Sequence, residues 1–269
     1  MNKRKTIFHS QKATFIQRFL ARVFFFGFGY LIETENEDVL ENLSEPVIFA
    51  ANHNNEYETF LLAAYLLIHR KGKRVGFLID WMYRYIPVFG WMLNKADPVY
   101  VYNKPARISW LNRFRKDPVK NNVICQCISR IRQNQSLAIF PEGTRNPDPL
   151  HLKRGRKGIA EIALITGVPV LPIGIDFPKR ITKGEIPRFG PIIFRFGNPL
   201  SFDEEYQLFQ EHKVLGQIED ARYDKTLGVR LCSSVHHRIM TEISQLSGKS
   251  YPFRPPEFLY EINRLEETI

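Results

Sequence analysis

The sequence predicts an α/β fold: a central, largely parallel sheet flanked by helices, with an N-terminal helix of interfacial type. Three observations carry this. Short, wholly apolar runs alternate with longer helical segments, the pattern of parallel strands covered on both faces. Two of those runs stop at polar clusters, as strands do where they deliver side chains to a site at their carboxyl ends. Residues 13–32 then combine basic and aromatic residues at helical spacing.

The elements follow in order. "PVIFAANH" (46–53) reads as a buried strand, and "ETFLLAAYLLIH" (58–69) as a helix apolar almost all round. "RVGFLID" (74–80) and "PVYVYN" (98–103) are the next strands. Val123, Ile124, Cys127, Ile128 and Ile131 recur as one face of a helix over 119–133. "SLAIF" (136–140) is a strand, and "RKGIAEIALITG" (156–167) a helix stopped by Gly167 in a left-handed cap, with Pro169 after it. "PVLPIGID" (169–176) is a strand, and "IIFRFGNPL" (192–200) is expected at an edge. Residues 203–213 and 222–247 read as helices, and the tail as extended, then one short helix.

The chain has 269 residues, 44% hydrophobic and 25% charged, which is the composition of an ordered globular protein. A core of this size folds without disulfides or metal. Three cysteines, Cys125, Cys127 and Cys232, make a poor zinc pattern and fit a reducing compartment. Net charge is +10, unevenly spread: residues 1–202 carry 30 Lys/Arg against 16 Asp/Glu. A basic front end favours an anionic partner. Nucleic acid lacks support, since no reading helix, zinc module or stacking motif occurs. No run of 18 apolar residues exists to span a bilayer. Residues 1–22 hold Lys3, Arg4, Lys5, Lys12, Arg18 and Arg22 with no acid, and Phe15, Ile16, Phe19, Leu20 and Val23 share helical spacing. That combination describes a helix lying in a membrane interface.

Two stretches carry chemistry. In "FAANHNNEYETF" (49–60), His53 stands just past a strand and Glu58 five residues on. On a helix, positions i and i+5 lie about 140° apart, so the two meet only if the chain turns between them. A carboxylate on one ring nitrogen then fixes the tautomer and leaves the other nitrogen as a general base. Glu56 is the other candidate partner. No Gly-x-Ser-x-Gly elbow supplies a nucleophile, so it would arrive with a substrate. In "AIFPEGTRN" (138–146), Gly143 permits close backbone approach, free N–H groups of Gly143 and Thr144 could hold an anion, and Arg145 offers a fork for phosphate. Glu142 could accept from a substrate hydroxyl or order the loop. "WMYRYIPVFGWML" (81–93) reads as an acyl groove, a membrane-dipping loop or core, and 103–120 as a basic loop suited to headgroups.

Together, Asn-His-x4-Glu and, roughly 85 residues later, Phe-Pro-Glu-Gly-Thr-Arg resemble the glycerophospholipid acyltransferase family, of the 1-acylglycerol-3-phosphate (lysophosphatidic acid) acyltransferase type. "KRGRKGIAEIA" and "GVPVLPIGI" (167–175) extend the resemblance across about residues 46–200. It implies an O-acyltransferase that moves a fatty acyl group from acyl-CoA or acyl carrier protein to a hydroxyl of a lysophospholipid-like acceptor. His53 would be the base, Glu58 its orienter, and Glu142, Gly143, Thr144 and Arg145 the acceptor site, with no metal or cofactor. The family usually has Asp at Glu58. Its second motif, Gly-x-x-Phe-x-Asp-Arg, is "DPVYVYNK" (97–104) here, with Tyr102 and Asn103 at the Asp and Arg positions and Lys104 as a substitute charge. That change motivates the alternative, a non-catalytic lipid-binding member. The expected division is a membrane-associating segment (1–40), an acyltransferase α/β domain (41–250) and a tail (251–269), at the cytoplasmic face of a membrane.

Overall fold

The computed structural model describes residues 15–71, 73–86, 98–106, 108–118, 122–218 and 225–256. Helix α1 (Phe15–Phe28) leads into β1 (Ile32–Glu35), then β2 (Ile48–Ala51), α2 (Glu56–His69), β3 (Val75–Asp80) and β4 (Val99–Val101). After these come α3 (Val123–Arg132), β5 (Ser136–Ile139), α4 (Gly158–Thr166), β6 (Val170–Asp176), a short α5 (Arg180–Lys183) and β7 (Ile192–Phe196). Helices α6 (Asp203–Ile218) and α7 (Lys225–Ser247) complete it.

The strands form one sheet in the order β1-β7-β6-β2-β5-β3-β4. All neighbours pair in parallel except β6 and β7, which are antiparallel. Each face is covered, so β2 is buried along its whole length. Ile48 and Ala50 point into a cluster with Cys127 of α3, Ile159 and Ala163 of α4, and Val235 and Ile239 of α7. Phe49 and Ala51 point the other way, onto Leu61, Leu62 and Tyr65 of α2, with Phe25 and Phe28 of α1 packed outside them. The period of two in β2 thus joins two apolar layers.

Local chemistry sets the helix ends. Asn122 caps α3 by accepting from the N–H groups of Ile124 and Cys125 at 3.0 and 3.2 Å. Gly167 ends α4 at φ +67 with its N–H on the Ala163 carbonyl, 2.8 Å away.

Two expectations need correction. β7 is not an edge strand: β1 lies outside it, in register from Ile32↔Ile192 to Glu35↔Arg195. β1 itself, "IETE", is half polar and short, and the sequence reading names no strand there. Helix α2 begins at Glu56, two residues before Glu58, because Asn55 is its cap. The expected short helix of the tail, and residues 1–14, lie outside the described residues, as do 87–93 of the aromatic stretch.

Helix α7 reaches the sheet at one point of closest approach. A Cβ on Gly174 of β6 would lie 2.2 Å from the Leu246 carbonyl carbon and 2.4 Å from the Ser247 nitrogen, both backbone atoms. Neither backbone can yield locally, so glycine sets this contact. Gly174→Ala is expected to lower unfolding free energy by at least about 2 kcal/mol in urea titration; an unchanged midpoint would contradict the packing.

Candidate active site

The parallel register of β2 with β5, Ile48↔Leu137 to Ala50↔Ile139, brings their carboxyl ends side by side. β6 flanks β2 on its other side. Just past Ala51, the Asn52 amide donates to the Ile175 carbonyl at 2.9 Å and accepts from the Ile175 N–H at 2.7 Å. This side chain copies one more rung of the ladder and pins the chain where it leaves the sheet.

The next residue is His53. The chain turns through Asn54 and Asn55, and α2 begins. Asn55 accepts from the Glu58 N–H at 3.2 Å, which fixes the first helical turn. That turn carries the Glu58 carboxylate back under His53, with Nδ1 2.9 Å from Oε1. Glu58 is fully buried and His53 keeps 18% of its side chain exposed. Glu58 Oε1 also accepts from the Asn54 backbone N–H, and Oε2 from the Asn54 amide at 2.9 Å. Burying a carboxylate is costly without such donors, and α2 adds the positive end of its dipole. The imidazole stacks on Phe140, ring centroids 4.3 Å apart, which leaves it one rotation. Nδ1 faces a carboxylate and therefore carries the proton. Nε2 forms no hydrogen bond among the described residues.

The second stretch lies against the first. Glu142, 4% exposed, accepts from the His53 N–H at 3.1 Å, from the Lys153 N–H at 2.9 Å and from the Asn146 amide at 2.7 Å. Asn146 N–H returns a bond to the His53 carbonyl, 2.7 Å. Of the two uses the sequence leaves open for Glu142, ordering the loop is the one its contacts serve. Gly143, at φ +66, donates its N–H to the Phe140 carbonyl at 2.9 Å, so that amide is not free for an anion. A Cβ there would come within 2.8 Å of Arg156 Nε, whose side chain lies across the turn. Thr144 and Arg145 are exposed. Arg145 pairs with Glu56, which also accepts from the Tyr83 hydroxyl at 3.2 Å. Glu56 therefore belongs to Arg145, and Glu58 to His53.

Lys104 is not joined to this group. Its carbonyl accepts the Trp81 indole N–H at 2.9 Å, and among the described residues no hydrogen bond or ion pair links its side chain to the turn. Tyr102, at the altered position of the second motif, is 4% exposed and stacks on Trp81. The sequence reading missed Asn54, which grips Glu58, and Lys153, whose ammonium holds the Arg145 carbonyl at 2.7 Å. Arg156 and Lys153 were visible only within "KRGRKGIAEIA", the stretch that extends the resemblance. Among the described residues, no group of three or more His, Cys, Asp or Glu is placed to hold a metal ion. Chemically, the arrangement offers an imidazole whose Nδ1 is held by a buried carboxylate and whose Nε2 is open, with cations on the loop beside it.

A family model described as Acyltransferase matches residues 31–176, just over half of the chain. Two chloroplastic 1-acyl-sn-glycerol-3-phosphate acyltransferases are similar over 161 residues, that of Brassica napus at 27% identity and that of Arabidopsis thaliana at 28%. Each match takes in 59% of this chain, and 41% and 39% of those proteins, so the chain spans only about two fifths of their length. The 1-acyl-sn-glycerophosphate acyltransferase structure of Thermotoga maritima shares the fold, with TM-score 0.50 and 19% identity over 77% of this chain and 81% of that one.

Glu142 is the residue on which the joining of the two stretches turns. Glu142→Ala would strand the His53 and Lys153 N–H groups and leave the Asn146 amide with only the His151 carbonyl. A loss of about 3 kcal/mol in chemical denaturation is expected, with faster hydrogen exchange at the His53 amide; an unaltered exchange rate there would contradict it.

Proposed function

The chain belongs to the acyltransferase family, and on that premise we propose that it is an O-acyltransferase acting on a lysophospholipid-like acceptor. The acyl donor is a thioester on coenzyme A or on acyl carrier protein. His53 is the general base and Glu58 its orienter. The acceptor hydroxyl sits on Nε2 and gives up its proton as its oxygen attacks the thioester carbonyl. The tetrahedral intermediate collapses, the C–S bond breaks, and the imidazolium returns the proton to the departing thiolate. Ester and free thiol result, with no redox change and no metal or cofactor required. Glu58 lowers the cost of the imidazolium formed on the way.

The single observation that supports this best is the 2.9 Å contact between His53 and Glu58 beside the Arg145 turn. Arg145, with Lys153 and Arg156 on the same loop, suits an acceptor phosphate. Lys104 serves at most as a more distant charge. The buried Tyr102 favours one second reading, a lipid-binding member without turnover.

The reaction belongs at a membrane surface on the cytoplasmic face. Phe15, Phe19, Val23 and Phe26 are exposed along α1 and Tyr30 just after it, with the exposed Arg18 and Arg22 among them. Aromatic side chains with flanking arginines match an interface plane. Among the described residues, no helix is long and apolar enough to cross a membrane.

Two measurements test this. Thiol release from acyl-CoA and acyl carrier protein donors, with a panel of lysolipids in vesicles, should fall by about two to four orders of magnitude in His53→Ala. Glu58→Ala should lose less, about tenfold. Undiminished release in His53→Ala rejects the base, and no release from any donor in the wild type favours the lipid-binding reading. Replacing Phe19 and Phe26 by Ser should weaken co-sedimentation with anionic vesicles about tenfold or more, and unchanged partition would remove α1 from the membrane contact.

A further inference from the structure

Behind the His53–Glu58 pair lies a lysine that the reaction above does not use. Lys249 follows the end of α7, outside the stretch matched by the family model. It is 2% exposed, among the least accessible side chains of the protein. Its ammonium donates to the Asn54 side-chain oxygen at 2.5 Å and to the Asp148 carbonyl at 2.6 Å. Asn54 in turn donates its amide to Glu58 Oε2 at 2.9 Å, and Glu58 Oε1 lies 2.9 Å from His53 Nδ1. The result is a continuous line of four side chains, Lys249–Asn54–Glu58–His53, whose ends are nearly 200 residues apart in the chain.

Lysine is rarely buried to this degree, because its charge loses water that few contacts replace. The frame around it is built to hold it. Arg180 bonds the Ser247 and Gly248 carbonyls at 3.1 and 2.8 Å, the Asp176 carboxylate at 2.6 Å, and the Pro149 carbonyl. Gly174 admits the end of α7 against β6. Both sides of Lys249, residues 247–248 and the loop at 148–149, are thus fixed to one guanidinium. The charged groups that face it are Glu58 from α2, Glu142 after β5, Asp148 in the loop, and Arg180 from α5. Three are anions and one a cation.

We propose that Lys249 is a positioning residue: through the Asn54 amide, its buried ammonium holds the Glu58 carboxylate in line with His53. Orienting Asn54 matters because the Asn54 amide can point its N–H₂ or its oxygen at Glu58. The Glu58 carboxylate only accepts and the Ile175 carbonyl takes the same N–H₂ at 3.3 Å, while on the other side the Asn52 amide at 3.4 Å and the Lys249 ammonium at 2.5 Å donate to the Asn54 oxygen and hold it away from Glu58. A cation does so more firmly than a neutral group. It also supplies positive charge to a pocket with two buried carboxylates.

The same geometry makes the device sensitive to pH. Burial pushes the Lys249 ammonium down to about 8, against the pull of Glu142 and Glu58, which favour the charged form. Below that pH the lysine is protonated and the line is charge-assisted. Above it the neutral amine donates weakly and the anions lose their cation. Turnover should therefore decline on the alkaline side.

The inference rests on the reading of His53 as base, and the test separates the two. In wild-type protein with vesicles, kcat for thiol release is expected to fall above about pH 8. Lys249→Met should lower kcat at pH 7 about tenfold, keep KM for both substrates within about twofold of wild type, and show no alkaline decline. If Lys249→Met does not fold, Asn54→Ala serves instead. It leaves the lysine its Asp148 carbonyl bond, removes the relay, and should give the same flat profile. A wild-type profile level to pH 9.5, or an alkaline decline retained in the folded Lys249→Met or in Asn54→Ala, overturns the proposal. A lower kcat with the decline intact would mean that Lys249 only supports the fold. Turnover surviving in His53→Ala would reject the base, yet leave the dependence of the alkaline limb on Lys249 to be read from the same data.

Discussion

The pairing of β2 in parallel with both β5 and β6 is the constraint on which the rest depends. Parallel neighbours end on the same side of a sheet. Two segments far apart in the chain, after Ala51 and after Ile139, must therefore emerge together. The register matters as much as the direction. A slip of one residue in β2 would exchange Phe49 and Ala51 with Ile48 and Ala50 and send each pair to the wrong apolar layer. It would also turn Asn52 away from Ile175, the contact that sets where the chain leaves the sheet. Packing in the core thus determines the position of an imidazole above it.

Beyond the strand ends, order comes from buried polar groups rather than from apolar contact. Asn52, Asn54, Glu58, Glu142, Asn146, Arg180 and Lys249 are all buried. Ionised groups in such places are expensive unless each oxygen and each proton is matched. Here the carboxylates of Glu58 and Glu142 each accept from three donors, and most of those donors are backbone N–H groups or asparagine amides. Such networks contribute little net stability. They do exclude alternative loop conformations, because any other arrangement leaves several of these groups bare. A site that must present one ring nitrogen in one direction gains more from that exclusion than from added stability.

The outer surface follows a different logic. The basic excess of the first 202 residues appears around the site as Arg145, Lys153, Arg154, Arg156 and Lys157, all exposed or nearly so. Exposed ion pairs such as Arg145–Glu56 are weak in water and exchange readily. Arg145 is thus held near the site yet remains able to meet an anionic ligand. Outside α2, α1 turns Phe25 and Phe28 inward and leaves Phe15, Phe19 and Phe26 outward. A helix with aromatic side chains on two sides has a core to satisfy and a second apolar surface to match.

The sequence by itself determined the alternation of strands and helices, because wholly apolar runs such as "VIFAA" and "SLAIF" can be satisfied only between two covering layers. It also determined the two polar stretches at strand ends, and that His53 could reach a carboxylate only through a turn. It did not reveal β1, whose alternating "IETE" is too short and polar to stand out from a loop, nor, for the same reason, that β7 lies inside the sheet, since β1 is the strand that covers its outer edge. Only the tertiary structure decided that Glu58 and not Glu56 meets His53, that Glu142 faces inward, and that Lys104 stands apart. Lys249 is the clearest case: one lysine in "SGKS" has no local signal, and its partners come from the turn before α2 and from the loop after β5. The physical reason is that periodicity and turn chemistry act over a few residues, whereas the protonation and direction of a buried group depend on whatever distant segments the sheet brings against it.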